Sequence, residues 1–360
     1  MPKKNRFLRK PKKRDIKRIL VIYWGFYGDV LVTTPLLEAL RRGYPCAYIT
    51  YVLGRGADHA EHVSVLLKHN PHVDECLVSD TSILVKLLKR KPYDMVIDLC
   101  DLKASRLMYK ISAAKTKIWG EWRNIPKHFF YNHLIGSRRG PVLKVLIRQK
   151  RICRITKFLS IARFLGINTQ GLKFPKIYLL KNEKKSARKY LARFRKIAGP
   201  LIAMHPGGQN PFRLWKARNY SLLADELIEK LNARVIIFNT KAEEPLAKKI
   251  AKFAHHKVSR IFEKDLRKYV ALLTACDLFI STDGGPLQMA LAVGVPTLGI
   301  FHNRVSASYW YNYRKRQGLS TFITYRSLYM IEKKNKRGVD RRDEKEIRLV
   351  FRRAQKILKR

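Results

Sequence analysis

The first half of the chain alternates apolar runs of strand length with segments in which apolar residues recur at every third or fourth position. The clearest strands are Ile19–Tyr23 and Tyr93–Leu99, and helical spacing follows the first of them over Asp29–Leu40. Further strands are predicted at Ala47–Val52, Val73–Val78 and Lys117–Trp119, with helices at His59–Lys68 and Ser82–Lys89. Because strands that alternate with helices form a parallel sheet covered on both faces, this half is predicted to be a doubly wound α/β domain.

The same alternation begins again at Pro200–His205 and predicts a second α/β domain. Its later strands are predicted at Ala233–Phe238, Asp277–Ile280 and Val295–Phe301, and its helices at Tyr220–Leu231, Glu243–Ala254 and Leu266–Thr274. A last helix, Glu344–Leu358, is predicted to pack on either domain. The predicted organisation is a basic arm at 1–18, a first domain at 19–175, a linker region with a charged helix at 176–199, a second domain at 200–330 and a basic tail with the last helix at 331–360.

The segment 138–166 departs from this alternation and is predicted to form a long basic helix. It contains nine Lys or Arg residues and no acid, while its apolar residues recur at three- and four-residue steps. Such a helix can lie on a membrane surface. It can equally pack its apolar stripe on the first sheet and expose its basic side, and the sequence leaves both interpretations open.

The charge of the chain adds information about its partner. Lys and Arg number 76 against 27 Asp and Glu, which gives a net charge of +49. Such a surface attracts nucleic acid, anionic lipid headgroups or a polyanionic substrate, and a general compositional bias is the remaining alternative. No helix-turn-helix or RNP sequence is recognisable, which makes a nucleic-acid-binding protein the weaker hypothesis.

The N-terminal arm and the cysteines both favour the cytoplasm. Ten basic residues precede the apolar run Ile19–Trp24, which is too short for the core of a signal peptide or for a membrane span. The five cysteines are odd in number and show no CxxC or clustered metal spacing. The sequence therefore predicts reduced thiols, no metal and no cofactor.

Three glycine turns follow predicted strands, and doubly wound sheets bind their ligands at the carboxyl ends of their strands. The first turn contains Gly25 and Gly28, and Asp29 follows at its rim. A carboxylate at that place can act as a general base, or it can simply cap the helix that follows. The turn does not match GxGxxG, so the fingerprint for dinucleotide binding is not met.

The other two turns lie in the second domain and suit a phosphate. In His205–Gly208 the glycines let the backbone approach the ligand, and Arg213 adds a side chain that can bind it bidentately. The turn Ser281–Pro286 opens a short apolar helix, whose unpaired N–H groups and dipole favour an anion. Since residues 271–300 contain no Lys or Arg, a phosphate at the third turn would be held largely by backbone dipoles.

Taken together, these motifs resemble glycosyltransferase family 9, the ADP-heptose:lipopolysaccharide heptosyltransferases. The matching pieces are Gly28–Leu31, Thr34–Leu36, His205–Gly208, Trp215 with Tyr220, Thr282–Pro286, Ala290 and Gly294–Thr297. The resemblance implies a GT-B fold, in which two Rossmann-like doubly wound domains face each other across a central cleft.

The resemblance also implies roles for individual residues. Asp29 would be the catalytic base. The donor site would contain Gly207, Gly208, Arg213, Asp283, Gly284, Gly285 and Gln288. Either Glu243 or Glu244 would hydrogen-bond the nucleoside, and the sequence does not decide between these two glutamates.

Four positions depart from the family pattern. Arg213 stands where the family has Lys, and Lys216 stands where it has Pro. Gln288 replaces a His and can hydrogen-bond without carrying a charge. Tyr23 or Trp24 occupies the place of a basic residue ahead of the Gly-Asp pair. These departures concern the donor and the catalytic step rather than the fold.

The function implied by the resemblance is inverting, metal-independent transfer of a heptose or related sugar. The donor would be a nucleotide-sugar, ADP-heptose, and the acceptor the anionic lipid A–Kdo core of lipopolysaccharide. A strongly basic protein would concentrate at the inner face of the anionic inner membrane, so a cytoplasmic, peripheral location is predicted and no nucleic-acid partner is expected. The alternatives are a basic nucleic-acid-binding protein and a catalytically degenerate member of the family.

Overall fold

The computed structural model divides the chain into two compact units, Met1–Tyr178 and Leu179–Arg360. The residues that it describes are 15–54, 60–79, 93–99, 116–120, 133–135, 153–172, 174–195, 199–208, 210, 214–301, 320–324 and 341–359. The predicted helix Ser82–Lys89, most of the basic arm and Arg213 lie outside these residues.

The first unit contains a parallel sheet of six strands in the order β3-β2-β1-β4-β5-β6. The strands are β1 (Arg18–Ile22), β2 (Tyr48–Gly54), β3 (Glu75–Ser79), β4 (Met95–Asp98), β5 (Thr116–Gly120) and β6 (His133–Ile135). The α-helices described in this unit are α1 (Tyr27–Leu31), α2 (Thr34–Gly43), α3 (Ala60–Ser64) and α4 (Arg154–Phe164). The predicted helix His59–Lys68 is thus shorter, and a 3-10 turn at Val65–Leu67 continues it.

The second unit repeats this design with the order β12-β11-β10-β7-β8-β9, again all parallel. The strands are β7 (Leu201–His205), β8 (Arg234–Asn239), β9 (Ser259–Phe262), β10 (Leu278–Thr282), β11 (Thr297–Phe301) and β12 (Ser320–Thr324). The α-helices described in this unit are α5 (Lys181–Leu191), α6 (Ala217–Leu231), α7 (Glu244–Phe253), α8 (Leu266–Leu273), α9 (Gly285–Ala292) and α10 (Arg341–Leu358).

Both sheets therefore follow the order 3-2-1-4-5-6 that defines the dinucleotide-binding Rossmann arrangement. The order reverses between β1 and β4 in the first unit and between β7 and β10 in the second. Ligands of such sheets bind outside the carboxyl ends of the strands at this switch point. The prediction of doubly wound α/β domains is confirmed, and the topology identifies the edge at which each unit would bind a ligand.

Three strands were not predicted from the sequence, namely β6, β9 and β12. Each of them lies at an edge of its sheet. An edge strand pairs on one side only and need not carry the continuous apolar run that a strand buried on both faces requires. In β9, for example, only Ile261 is buried. The apolar pattern therefore identified the central strands and missed these edge strands.

The predicted helix Asp29–Leu40 is wrong in one respect, because the structure breaks it in two. α1 ends at Leu31 and α2 begins at Thr34. Pro35 has no N–H to donate to the carbonyl of Leu31, so the hydrogen bond that would continue the helix is missing. The Thr34 hydroxyl donates to that carbonyl instead, over 2.8 Å. The chain can therefore turn between the two helices without leaving the carbonyl unpaired.

Part of the predicted basic helix 138–166 is seen as α4. Its apolar residues Ile155, Phe158 and Leu159 are buried, and the helix packs against α2 and the β5–β6 side of the first sheet. In this part of the segment the apolar stripe is packed as one interpretation predicted, but the basic side is not fully exposed, because the Arg154 side chain is only 14% exposed and pairs with Asp29. Residues 138–152 lie outside the described residues. Among the helices that the structure describes, none is both long enough and apolar enough to cross a membrane.

The last helix, α10, packs on the second unit, which answers the question that the sequence left open. Ile347, Val350 and Phe351 join the hydrophobic core that α6 and the second sheet form. The Trp215 indole N–H donates to Glu346 over 3.2 Å, and the rings of Trp215 and Tyr220 pack edge to face. The α10 helix is therefore an integral part of the second unit.

Candidate active site

The second unit brings two of the predicted glycine turns together at its switch point. β7 and β10 are neighbours, and Ser281 pairs with His205 in their register. Gly207 lies two residues after the end of β7, and its carbonyl accepts a hydrogen bond over 3.2 Å from the hydroxyl of Thr282, the last residue of β10. The Ser281 hydroxyl donates to the His205 carbonyl over 2.9 Å. These bonds fix the two turns relative to each other.

Helix α9 begins directly after the second of these turns. Gly284 precedes its first residue, Gly285, and Pro286 lies in its first turn. The N–H groups of a first helical turn have no partner within the helix, and the helix dipole is positive there. Backbone groups at the switch point are therefore oriented as an anion such as a phosphate requires.

Gln288 provides a second, independent indication of a ligand. Its side chain lies one turn into α9 and is only 2% exposed. Neither the amide oxygen nor the amide nitrogen has a hydrogen-bond partner among the residues that the structure describes. Leaving such a group unpaired in a protein interior costs about 1–3 kcal/mol. A ligand with hydroxyl or phosphate groups would remove that cost.

Glu243 approaches the same site from the connection between β8 and α7. Its Oε2 accepts hydrogen bonds from the Thr240 N–H over 2.8 Å and the Thr240 hydroxyl over 2.9 Å. His205 Nε2 lies 3.2 Å from the same oxygen. Burial alone would raise the pKa of Glu243, but the contact with His205 and the two Thr240 bonds lower it to about 2. The carboxylate is therefore ionised at neutral pH.

The position of Glu243 explains why a glycine is needed at Gly207. A Cβ atom added to Gly207 would lie 1.9 Å from Glu243 Oε1. Glu244, by contrast, has a 45% exposed side chain and pairs with Lys248 over 2.8 Å within α7. The two glutamates that the sequence could not separate therefore differ, because Glu243 lies against the glycine turn and Glu244 forms an exposed ion pair.

In the first unit, Asp29 lies in the first turn of α1. Its Oδ2 accepts a hydrogen bond from the Phe26 N–H over 3.0 Å, so the capping interaction considered from the sequence is present. Its Oδ1 forms an ion pair with Arg154 of α4, which also donates to the Tyr23 hydroxyl. The Asp29 side chain is 20% exposed and thus remains accessible. Each carboxylate oxygen can accept more than one hydrogen bond, so the Asp29 carboxylate can still accept one from a hydroxyl group of a substrate.

The turn before Asp29 leaves no space for a side chain at Gly25. A Cβ atom at Gly25 would come within 2.5 Å of the Asp29 Cβ, so the turn requires a glycine there. Gly28 is buried inside α1. Arg154 was not identified as a site residue from the sequence. It supplies a guanidinium beside Asp29 in a chain that lacks the basic residue expected ahead of the Gly-Asp pair.

The departure at Lys216 has a structural explanation. The Lys216 ammonium donates to Asp343 of α10 over 3.0 Å, and the Asn219 amide donates to the same carboxylate over 3.3 Å. Lys216 thus attaches α10 to the start of α6. Arg213 lies outside the described residues, so its role at the donor stays a prediction.

Comparison with known proteins decides the family. The family model described as glycosyltransferase family 9 (heptosyltransferase) matches residues 82–327, which is more than half of the chain. The chain belongs to glycosyltransferase family 9. It is therefore an enzyme, a glycosyltransferase.

Relatives of this family 9 glycosyltransferase are distant in sequence. Lipopolysaccharide heptosyltransferase 3 of Escherichia coli is 21% identical over 295 residues, which cover 77% of this chain and 81% of that protein. The solved family 9 glycosyltransferase from Veillonella parvula DSM 2008 matches with a TM-score of 0.76 at 19% identity, covering 98% of this chain and 100% of the other. E. coli ADP-heptose LPS heptosyltransferase II matches with a TM-score of 0.68 at 19% identity, covering 94% and 99%. The structural matches confirm the predicted GT-B fold with two Rossmann-like domains.

Proposed function

We propose that this family 9 glycosyltransferase transfers a heptose from ADP-heptose to the inner core of lipopolysaccharide. The observation that carries the proposal is the switch point of the second unit, where two glycine turns, the start of α9 and the unpartnered Gln288 amide lie together. A nucleotide-sugar donor carries a diphosphate that the N–H groups at the start of α9 can bind. It also carries sugar hydroxyls that can hydrogen-bond to the Gln288 amide. The relatives include a lipopolysaccharide heptosyltransferase and an ADP-heptose LPS heptosyltransferase, which supports heptose as the sugar and ADP as the nucleotide.

The donor is held by the second unit in this proposal. The N–H groups around Gly284 and Gly285 bind the diphosphate, with Gly207 and Gly208 leaving room for it and Arg213 adding positive charge. Asp283 and Gln288 bind the sugar end. Glu243 accepts hydrogen bonds from the nucleoside, because an ionised carboxylate repels the diphosphate and can only accept.

Asp29 acts as the general base on the acceptor. It takes the proton of the acceptor hydroxyl while the hydroxyl oxygen forms a bond to the anomeric carbon of the heptose. The bond from that carbon to the diphosphate breaks at the same time, and ADP leaves with the electron pair. Attack from the face opposite the leaving group inverts the configuration. Arg154 holds the Asp29 carboxylate in one orientation through their ion pair.

The site of action is the cytoplasmic face of the inner membrane. The lipid A–Kdo acceptor is anionic and is embedded in an anionic leaflet, and the net charge of +49 favours binding at such a surface. The charge of the leaving diphosphate is met by protein groups, so the proposed transfer needs no metal.

The test of the donor is calorimetry of the purified protein against ADP, UDP and GDP, with and without EDTA. ADP should bind at least about tenfold more tightly than the other two, which corresponds to about 1.4 kcal/mol, and the chelator should not change its affinity. Equal binding of all three nucleotides would contradict the adenine preference. Loss of ADP binding in EDTA would contradict the absence of a metal.

Replacing Gln288 with leucine should separate stability from donor binding. Leucine has a similar volume and removes a buried amide that has no partner among the described residues. The free energy of unfolding should therefore rise by about 1–3 kcal/mol, and the midpoint of thermal unfolding should rise with it. Affinity for the nucleotide-sugar should fall by about tenfold or more, because the ligand loses its hydrogen bonds. Unfolding curves and calorimetry measure the two effects. Lower stability with unchanged donor affinity would show that the amide has a structural partner instead.

A further inference from the structure

Three buried or half-buried side chains form a chain of contacts beside the first glycine turn of the second unit. Tyr269 comes from α8, His205 ends β7, and Glu243 precedes α7. The Tyr269 hydroxyl lies 3.2 Å from His205 Nδ1, and His205 Nε2 lies 3.2 Å from Glu243 Oε2. His205 and Tyr269 are both buried. Their polar atoms therefore depend on these contacts rather than on water.

The chemistry of the three groups fixes the direction of the hydrogen bonds. An ionised carboxylate can only accept, so His205 Nε2 must carry the hydrogen that is donated to Glu243. Burial, followed by the nearby Glu243 charge, raises the pKa of the Tyr269 hydroxyl well above its ordinary value, so the hydroxyl keeps its proton. It can then donate to His205 Nδ1. The Tyr269 hydroxyl, both ring nitrogens of His205 and Oε2 of Glu243 are all hydrogen-bonded in this arrangement.

The contacts restrict the Glu243 carboxylate to one orientation. Oε2 receives the His205 Nε2–H and both donors of Thr240, whereas Oε1 lies against Gly207, where a Cβ atom would collide with it at 1.9 Å. Rotation of the carboxylate would break three contacts at once. Oε1 accepts none of these bonds and is the oxygen that remains at the turn.

We propose that His205 and Tyr269 are positioning residues, which hold Glu243 so that its Oε1 accepts a hydrogen bond from a ribose hydroxyl of the donor. The proposal rests on the proposed function and adds the means by which the nucleoside is selected. A negative oxygen beside a phosphate-binding turn requires a ligand group that donates hydrogen bonds, and the ribose hydroxyls next to the diphosphate are such groups. The same contacts leave the diphosphate itself to the backbone.

The test compares ligands that differ by one hydroxyl. Dissociation constants for ADP, 2′-deoxy-ADP, 3′-deoxy-ADP and pyrophosphate are measured by calorimetry on the 360-residue chain. In the wild type, one deoxy analogue should bind about tenfold more weakly than ADP. In His205→Leu this preference should shrink to about twofold or less, while pyrophosphate binding stays within about twofold of the wild type. General damage to the turn would instead weaken pyrophosphate and ADP alike.

Three further variants distinguish a specific effect from misfolding and give graded effects. Tyr269→Phe removes only the hydroxyl and keeps the ring that packs edge to face against Phe238. It should reduce the ribose preference by about threefold. His205→Gln keeps an N–H donor for Glu243 and should retain more of the preference than His205→Leu. Phe238→Leu is the packing control, and it should lower stability without changing the preference for ADP over its deoxy analogues.

The outcomes separate the two proposals. If folded His205→Leu and Tyr269→Phe both discriminate ADP from the deoxy analogues as the wild type does, the positioning role is overturned. Equal weakening of pyrophosphate and ADP also overturns it. If the wild type binds no nucleoside diphosphate, the proposed function fails and this inference fails with it. If the wild type binds ADP without any preference over the deoxy analogues, only the ribose contact is overturned.

Discussion

Replacing Asp29 with asparagine should lower the rate of sugar transfer by about two to four powers of ten, the range typical of a general base. The amide cannot take the proton of the acceptor hydroxyl. Its oxygen can still accept the hydrogen bond from the Phe26 N–H that the carboxylate accepts over 3.0 Å, so the start of α1 should stay intact. Turnover with the natural acceptor measures the first effect, and thermal unfolding measures the second.

Two companion variants separate the roles of this carboxylate. Asp29→Ala also removes the capping hydrogen bond at the start of α1. It should therefore lower the free energy of unfolding by about 0.5–2 kcal/mol. Arg154→Gln leaves the carboxylate and removes the ion pair that holds it. It should reduce transfer less than Asp29→Asn does. Full turnover by Asp29→Asn would rule out its role as the base and reduce Asp29 to a helix cap.

The sequence predicted the central strands and their helices because these elements have strong periodic signals. β1, β4, β7 and β10 are each buried along nearly all of their length, and a run buried on both faces is continuously apolar. The glycine turns follow from the same strands, since a parallel sheet places its ligand at their carboxyl ends. The positions of the glycine turns in the candidate site could therefore be predicted from local pattern alone.

Other features of the site depend on contacts that no spacing encodes. Arg154 and Asp29 are 125 residues apart, and Glu243 and His205 meet only because β7 and β8 are neighbours. Glu243 and Glu244 can be told apart only when the directions of their side chains at the start of α7 are known. The helical spacing continues across Pro35, so the spacing alone predicts one helix where the structure has two. Long-range pairing and side-chain direction are thus what the structure adds.

Replacing Val350 with aspartate should destabilise the second unit by about 4 kcal/mol or more. Val350 is 1% exposed and lies in the core that α10 shares with α6 and the second sheet. A carboxylate there has no partner in an apolar environment and is strongly penalised. Because a domain of this kind is stable by about 5–15 kcal/mol in total, the loss is a large share of its stability. Chemical denaturation, with donor binding measured alongside, should show both properties falling together.

The neighbouring residue provides the matched control. Leu349 is 43% exposed on the same helix, so Leu349→Asp makes the same charge change without burying it. This substitution should change the free energy of unfolding by no more than about 0.5 kcal/mol. Since α10 also holds the segment before α6 through Lys216 and Trp215, loosening it should weaken donor binding as well as stability. Equal stability of the two variants would mean that α10 does not contribute to the core of the second unit, and its contacts with that segment could then not support the donor site.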